Sequence, residues 1–156
     1  MAIATAAAHP DMVAGLVLSG AAVEFQGVTA WVNRFQGRIL PVLGYLLGKK
    51  ADQALGKIAP KGTAEAVSKR GHSFKGAGQA LRNLAGRNFH PLLVSYPGPI
   101  LMLMGERDKH NIAALPAMIE GVADVETQII EDAGHSCSLS QPDVFSDAVA
   151  RLARKT

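Results

Sequence analysis

Two residues in the C-terminal third of the sequence carry the side chains that general acid–base chemistry needs. Asp108 lies just beyond the apolar run 100–104, and His135 lies in a turn that follows the strand candidate 125–130. A histidine has a pKa near neutral pH and can act as a general base, and a carboxylate can hold its tautomer and stabilise the imidazolium. From the spacing alone, a turn-capping aspartate and a surface histidine are also open interpretations.

The remaining reactive side chains do not form a recognisable cofactor or metal site. The single cysteine, Cys137, excludes an intrachain disulfide and a multi-cysteine zinc site, and it is interpreted as a small packing residue. The sequence has no H-E-x-x-H, no P-loop and no G-x-G-x-x-G. His9, His72 and His90 are isolated, and His110 is interpreted as a surface loop residue. We therefore expect no cofactor and no bound metal ion.

The elements that must position Asp108 and His135 alternate between helix and strand. Continuous apolar runs closed by glycine or a turn are typical of strands buried on both faces, as in a parallel sheet. Strands alternating with helices predict an α/β fold. The strands are predicted at 13–20, 100–104 and 125–130, and the helices that flank them at 1–8, 111–121 and 141–154, with Asn111 as the N-cap of the second.

Charge separates the middle of the chain from its flanks. Residues 21–90 contain 11 Lys or Arg and three acidic residues, a net charge of +8, whereas the remainder carries −5. A helical apolar stripe runs from 28 to 58 with an interruption expected at Pro41, and shorter helices are predicted near 63–69 and 76–84. The basic segment is interpreted as a solvated helical surface, or as a surface that attracts acidic substrates, nucleic acid or anionic lipid.

Several classes of protein are excluded by composition. With 48% apolar and 19% charged residues in a chain of 156, the sequence predicts about one folded domain and excludes a wholly disordered chain. The longest apolar run, 39–47, is too short for a membrane span, and the N-terminus lacks the basic region of a signal peptide. No basic ladder with interleaved aromatics is present, so nucleic-acid binding is not expected. A cytoplasmic location is predicted.

Four motifs in order resemble those of α/β-hydrolases. The segment 9–18 resembles the helix-to-strand passage after the family's nucleophile turn, and 105–108 (GERD) resembles the turn that carries the triad acid. The segment 131–135 (EDAGH) resembles the turn of the catalytic histidine, and 141–145 resembles the start of the last helix. The acid precedes the histidine, as in that family.

The resemblance implies the C-terminal portion of an α/β-hydrolase parallel sheet with a helical cap insertion. The implied domains are a core segment at 1–20, a helical cap or lid at 21–95, and a C-terminal core segment at 96–156 that carries the acid and histidine loops. Apolar cap residues such as Trp31 and Phe35 are expected either to line an acyl or aromatic site or to pack among the cap helices.

The resemblance also implies His135 as catalytic base and Asp108 as its orienting acid, but the sequence lacks the family's G-x-S-x-G nucleophile motif. Ser19 lacks the glycine spacing of that motif, and Ser136 and Cys137 are too close to His135 in the chain to serve. We therefore expect a relative of an ester-type hydrolase, truncated, with its nucleophile (Ser, Asp or Cys) outside this chain and inactive alone. Its substrate is expected to be a small apolar or ester-containing molecule.

Three alternatives remain open at this stage. The chain is also compatible with a non-catalytic binding protein on a truncated hydrolase fold, with a small intact hydrolase using an unfamiliar nucleophile, or with an epoxide hydrolase or dehalogenase relative whose nucleophile is an aspartate elsewhere. The expected macromolecular partner is an N-terminal hydrolase half or a second copy of the chain. Open strand edges predict oligomerisation or low solubility.

Overall fold

The computed structural model of the chain describes residues 1–58 and 73–156. The predicted helix at 63–69 and His72 lie outside the described residues. The described chain contains, in order, helices and strands with these bounds: α1 (Ala2–Ala8), β1 (Leu16–Ser19), α2 (Gly27–Ile58), α3 (Phe74–Leu84), α4 (His90–Ser95), β2 (Ile100–Gly105), α5 (Lys109–Ile119), β3 (Val125–Ile130), α6 (Cys137–Ser140) and α7 (Pro142–Ala153).

Two compact units are formed from these elements. The core unit comprises Met1–Val23 and Phe89–Thr156, and the insertion unit comprises Glu24–Asn88. All three strands belong to the core unit, whereas α2 and α3 belong to the insertion unit. Asp108 and His135 therefore both lie in the core unit.

The core unit contains a parallel sheet in the order β1-β2-β3. Leu16 of β1 pairs with Ile100 of β2, which in turn pairs with Val125 of β3. All six residues of β2 are buried, which explains the uninterrupted apolar sequence of this central strand. The predicted α/β fold with a parallel sheet is confirmed.

The two faces of β2 supply two separate hydrophobic clusters. Ile100, Met102 and Met104 pack on one face with residues of α1, α4 and α5. Leu101 and Leu103 pack on the other face with residues of α6 and α7. Because successive strand residues point to opposite faces, a single apolar run holds helices on both sides of the sheet.

Three local predictions are corrected by the structure. The first strand begins at Leu16 rather than at residue 13, because a 3₁₀ turn at Pro10–Met12 precedes it and the Val13 carbonyl accepts a hydrogen bond from Tyr96 Oη at 2.7 Å. Asn111 is not the N-cap of α5; Asp108 occupies that position and Asn111 lies in the first turn. The third correction concerns the helix interruption expected at Pro41, in the insertion unit.

In the insertion unit, α2 continues through Pro41 without the expected interruption. Its inner face packs closely on α3, where Gly37 and Gly78 face each other: a Cβ on Gly37 would lie 2.6 Å from the Gly78 carbonyl oxygen. The Arg82 guanidinium donates a hydrogen bond to the Gly37 carbonyl. Small residues therefore let the two helices approach backbone to backbone.

Candidate active site

The acid turn at the carboxyl end of β2 is fixed by backbone hydrogen bonds to the neighbouring turn after β3. Glu106 N donates to the Ile130 carbonyl, and Arg107 N donates to the Ala133 carbonyl, each at 2.9 Å. A Cβ on Gly105 would collide with the backbone oxygens of Ala133 and Gly134. Only glycine allows the two turns to lie this close together.

Side chains add a second connection between the same turns. Arg107 Nη2 contacts Asp132 Oδ1 at 2.6 Å, and Glu106 Oε2 accepts a hydrogen bond from Asp132 N at 3.2 Å. Asp132 has a φ of 53°, a left-handed conformation that aspartate adopts more readily than most residues. This bend in the backbone turns the chain toward His135, three residues further on.

His135 and Asp108 are in direct contact. His135 Nδ1 lies 2.8 Å from Asp108 Oδ2, although 27 residues separate them in the sequence. The Asp108 side chain is only 10% exposed, whereas the His135 side chain is 69% exposed. The carboxylate thus lies beneath the ring, and the far side of the imidazole faces outward.

Asn111 is a third member of the site that the sequence reasoning missed. Its Nδ2 donates to Asp108 Oδ2 at 2.7 Å and lies 3.4 Å from the Gly20 carbonyl oxygen. Asn111 is one of two buried polar residues among the described residues, and its position three residues after Asp108 places both on one helix face. That spacing was the only signal in the sequence, because the contact with Gly20 spans 91 positions.

Hydrogen bonds stabilise the ionised form of Asp108. Burial on its own would raise the pKa of this carboxyl, but hydrogen bonds from His135 and Asn111, together with the charge of the imidazolium, outweigh it and lower the pKa. At neutral pH Asp108 is therefore an acceptor without a proton. His135 Nδ1 must then carry the hydrogen in the Nδ1–Oδ2 bond, which leaves Nε2 as the basic nitrogen of the neutral ring.

The end of β1 completes the surroundings of the imidazole. Gly20 has a φ of 53°, and a Cβ there would lie 2.7 Å from the His135 carbonyl oxygen and 3.1 Å from Nδ1. Ser19 Oγ is hydrogen-bonded to Cys137 Sγ at 3.1 Å. Cys137 is fully buried in the hydrophobic cluster beneath α7, and this matches its interpretation as a packing residue.

Ser136 and His110, the other candidate residues next to this group in the sequence, are both exposed. Ser136 precedes α6 and its carbonyl accepts hydrogen bonds from Leu139 N and Ser140 N, while its side chain is exposed. His110 is exposed in the first turn of α5. In residues 1–58 and 73–156, no three His, Cys, Asp or Glu side chains lie close enough together to hold a metal ion.

Comparison with known proteins shows which family the chain resembles. A model of the alpha/beta hydrolase family matches residues 2–148. Curated protein sequences gave no match. The predicted resemblance is therefore confirmed over most of the chain.

Solved structures show the same fold. MenH from S. aureus superposes with a TM-score of 0.74 at 17% identity, covering 92% of this chain and 59% of that chain. A thermophilic esterase from Thermogutta terrifontis gives a TM-score of 0.73 at 21% identity, with coverages of 99% and 60%. The enol-lactonase from Burkholderia xenovorans LB400 gives 0.68 at 17% identity, with coverages of 98% and 61%.

The chain thus spans about three fifths of the length of these solved structures. The similarity in fold extends over nearly all of the described sheet and its helices. Since the family model covers residues 2–148 and the parallel sheet has the same fold, the chain belongs to the alpha/beta hydrolase family.

Proposed function

We propose that the chain supplies the acid–base part of an ester-type hydrolase, with His135 as catalytic base and Asp108 as its positioning carboxylate. The supporting observation is the 2.8 Å contact between His135 Nδ1 and Asp108 Oδ2, with the ring exposed on its other side. Asn111 holds the carboxylate from beneath. This constellation matches the role that a histidine–carboxylate pair has in nucleophilic hydrolysis.

In the proposed reaction, Nε2 of His135 removes the proton from a nucleophile hydroxyl as its oxygen bonds to the ester carbonyl carbon. The imidazolium then gives this proton to the departing alkoxide, which leaves as an alcohol. Water repeats the sequence on the acyl intermediate and releases the acid. Asp108 stays ionised throughout and stabilises the imidazolium in both steps.

The nucleophile is proposed to come from a segment outside this chain. The sequence has no G-x-S-x-G motif, and Ser19 is hydrogen-bonded to Cys137. Among the described residues β1 pairs only with β2, and beside it lies an apolar groove whose lining includes Val13 and Val149. A strand from an N-terminal hydrolase segment that adds to β1 would cover this groove and bring a nucleophile to the carboxyl edge of the sheet.

Other features of the proposal follow from the same assignment. The insertion unit is proposed as the cap domain, and a small apolar or ester-containing molecule as the substrate. A self-associated form and a cytoplasmic location remain predictions. Without the partner segment the chain is expected to be inactive.

A p-nitrophenyl ester assay tests the assignment. The chain alone is compared with the chain mixed with an N-terminal alpha/beta hydrolase segment that contains the nucleophile turn. Turnover is expected only in the mixture, and His135→Ala should lower it by about 10²- to 10⁴-fold. His110→Ala is the matched control, because His110 is exposed and makes no described contact with Asp108.

Two outcomes contradict the proposal in different ways. Turnover by the chain alone that His135→Ala abolishes would identify a small intact hydrolase with its own nucleophile. A mixture that forms a stable complex but is inactive, or as active with His135→Ala as without it, would favour a non-catalytic binding protein.

A further inference from the structure

The outer face of α2 carries an exposed apolar stripe. It consists of five large residues spaced at three, four or seven positions, each between 51% and 80% exposed: Val28, Trp31, Phe35, Val42 and Leu46. The Trp31 and Phe35 rings stack with centroids 5.5 Å apart and planes 6° from parallel. At 1.5 Å per residue the stripe is about 27 Å long. We call these five residues the α2 stripe.

The stripe lies opposite the face that α2 uses for packing within its own unit. Gly37, Gly44 and Asn33 occupy the inner face, where Gly37 meets Gly78 and Gly44 meets Phe74 of α3. The stripe is therefore unnecessary for the helix pair. It is also out of proportion for a solvated surface, since exposed apolar residues are normally scattered singly.

Charge restricts what can cover the stripe. The exposed side chains of Arg34 and Arg38 flank it on one side, and no acidic residue occurs between positions 25 and 51. The insertion unit as a whole carries 11 basic and three acidic residues. Contact between the stripes of two copies would bring like charge against like charge, and nucleic acid offers no surface that buries valine and leucine.

We propose that the insertion unit docks peripherally on an anionic lipid surface through the α2 stripe. An apolar helical face with tryptophan and phenylalanine, bordered by arginine, is typical of helices that lie in the plane of a membrane interface. Trp31, Phe35 and Leu46 enter the boundary between headgroups and acyl chains, and Arg34 and Arg38 pair with lipid phosphates. Within residues 1–58 and 73–156 no helix is both long and apolar enough to span a bilayer, and the proposed association requires none.

The sole tryptophan makes the proposal directly measurable. Trp31 is the only tryptophan of the chain, so its emission reports on the stripe alone. The full chain is titrated with vesicles of phosphatidylcholine, and with vesicles of phosphatidylcholine and phosphatidylglycerol. A blue shift and co-sedimentation are expected with the anionic vesicles, with at least about tenfold weaker binding to the neutral ones and loss of binding as salt rises.

Variants separate the apolar contribution from the electrostatic one. Arg34→Gln/Arg38→Gln should weaken binding by about 25-fold, since each basic residue near an anionic surface contributes about a fivefold factor. Phe35→Ser/Leu46→Ser should abolish the blue shift while retaining Trp31. Met12→Ser/Val144→Ser removes two exposed apolar residues of the core unit and should change nothing. Circular dichroism confirms that each variant retains its helices.

Specific results would overturn the proposal. Absence of binding to anionic vesicles at low salt, or unchanged binding of Phe35→Ser/Leu46→Ser, would end it. A Trp31 shift that depends on protein concentration without lipid would assign the stripe to a second copy. A shift with polyglutamate but not with vesicles would assign it to an acidic protein partner.

Discussion

The two units of the chain place their apolar side chains in opposite ways. In the core unit, β2 buries all six of its residues between helices on both faces of the sheet. In the insertion unit, two helices contact each other through glycines, and the far side of α2 leaves Trp31 and Phe35 exposed. A parallel strand must be covered on both faces, whereas a helix pair buries one stripe on each helix and leaves the other side available for binding.

The two units also differ in net charge. The core unit has a net charge of −5, and its Asp108 carboxylate is hydrogen-bonded to His135 and Asn111. The insertion unit has a net charge of +8. The Asp108 carboxylate thus interacts at short range with its two neighbours, whereas the net positive charge of the insertion unit acts at long range on whatever approaches it.

The largest expected effect comes from Gly105→Ala in the core unit. The new Cβ collides with the backbone oxygens of Ala133 and Gly134, and moving that turn away would disturb the hydrogen bond from Arg107 N to the Ala133 carbonyl. We expect a loss of about 3 kcal/mol in the free energy of unfolding, measured by urea denaturation. Gly134→Ala is the matched control, because no atom lies within 4 Å of its added Cβ. Equal stability of the two variants would contradict the tight contact between the acid and histidine turns.

Gly37→Ala applies the same change to the insertion unit. Its Cβ would lie 2.6 Å from the Gly78 carbonyl oxygen and 2.7 Å from Arg82 Cγ. The helices can separate slightly, so we expect a smaller loss of about 2 kcal/mol. Amide hydrogen exchange should show the loss of protection in α2 and α3 but not in β2. A uniform loss of amide protection across both units would mean that the two units unfold together. It would contradict the expectation that Gly37→Ala destabilises the insertion unit alone.

Asn111→Ala tests the support beneath the proposed catalytic pair. It removes a hydrogen bond to an ionised carboxylate, which is typically worth about 1.5 kcal/mol or more. The pKa of Asp108 should rise, because a hydrogen bond that lowers it is lost. NMR of the His135 ring nitrogens reads out its tautomer and titration. Asn111→Gln should restore part of the effect, whereas a purely structural role would leave the imidazole signals of Asn111→Ala unchanged.

The centre of the core unit could be predicted because its middle strand is buried on both faces. The apolar segment 100–104 became β2 with nearly the same bounds, since a fully buried strand must be apolar at every position. The predicted strand at 125–130 became β3, although this strand contains three polar residues and only Ile130 is buried. The start of β1 could not be predicted. Residue 13 is as apolar as Leu16, but its carbonyl accepts a hydrogen bond from Tyr96, far along the chain. The predicted interruption of the helix at Pro41 was wrong. The Pro41 ring packs against Gly78, and nothing in the local sequence reveals that contact.

The candidate site was also predictable only in part, because some of its contacts join residues far apart in the sequence. Asp108 and His135 follow strand ends in motifs that resemble a known family, so their placement followed from order along the chain. In the sequence, the residue type and position of Asn111 indicated only an ordinary helix N-cap. Its amide gains a role only when the Gly20 carbonyl, 91 positions away, and the Asp108 carboxylate come together.

The smallest of these expected effects is an acid-dependent loss of stability to which Asp108 contributes in the core unit. Its folded-state pKa lies below the ordinary value of about 3.9, so the stabilisation is complete above that value and is lost as the pH falls through the folded-state pKa. The decline in the urea midpoint from pH 6 to pH 3 should therefore be steeper in the wild type than in Asp108→Asn. The exposed partner ring weakens the effect through solvent screening.

Glu126→Gln is the comparison for this prediction. Hydrogen bonds from Lys155 and Arg151 lower the pKa of the Glu126 carboxyl, but this group lies on the outer surface of the core unit. Its contribution should be smaller than that of Asp108 and should vanish at high salt, whereas the Asp108 contribution should persist. The same acid dependence in Asp108→Asn and the wild type would show that the buried carboxylate is not held by its partners. In that case neither the tautomer of His135 nor its assignment as a base would stand.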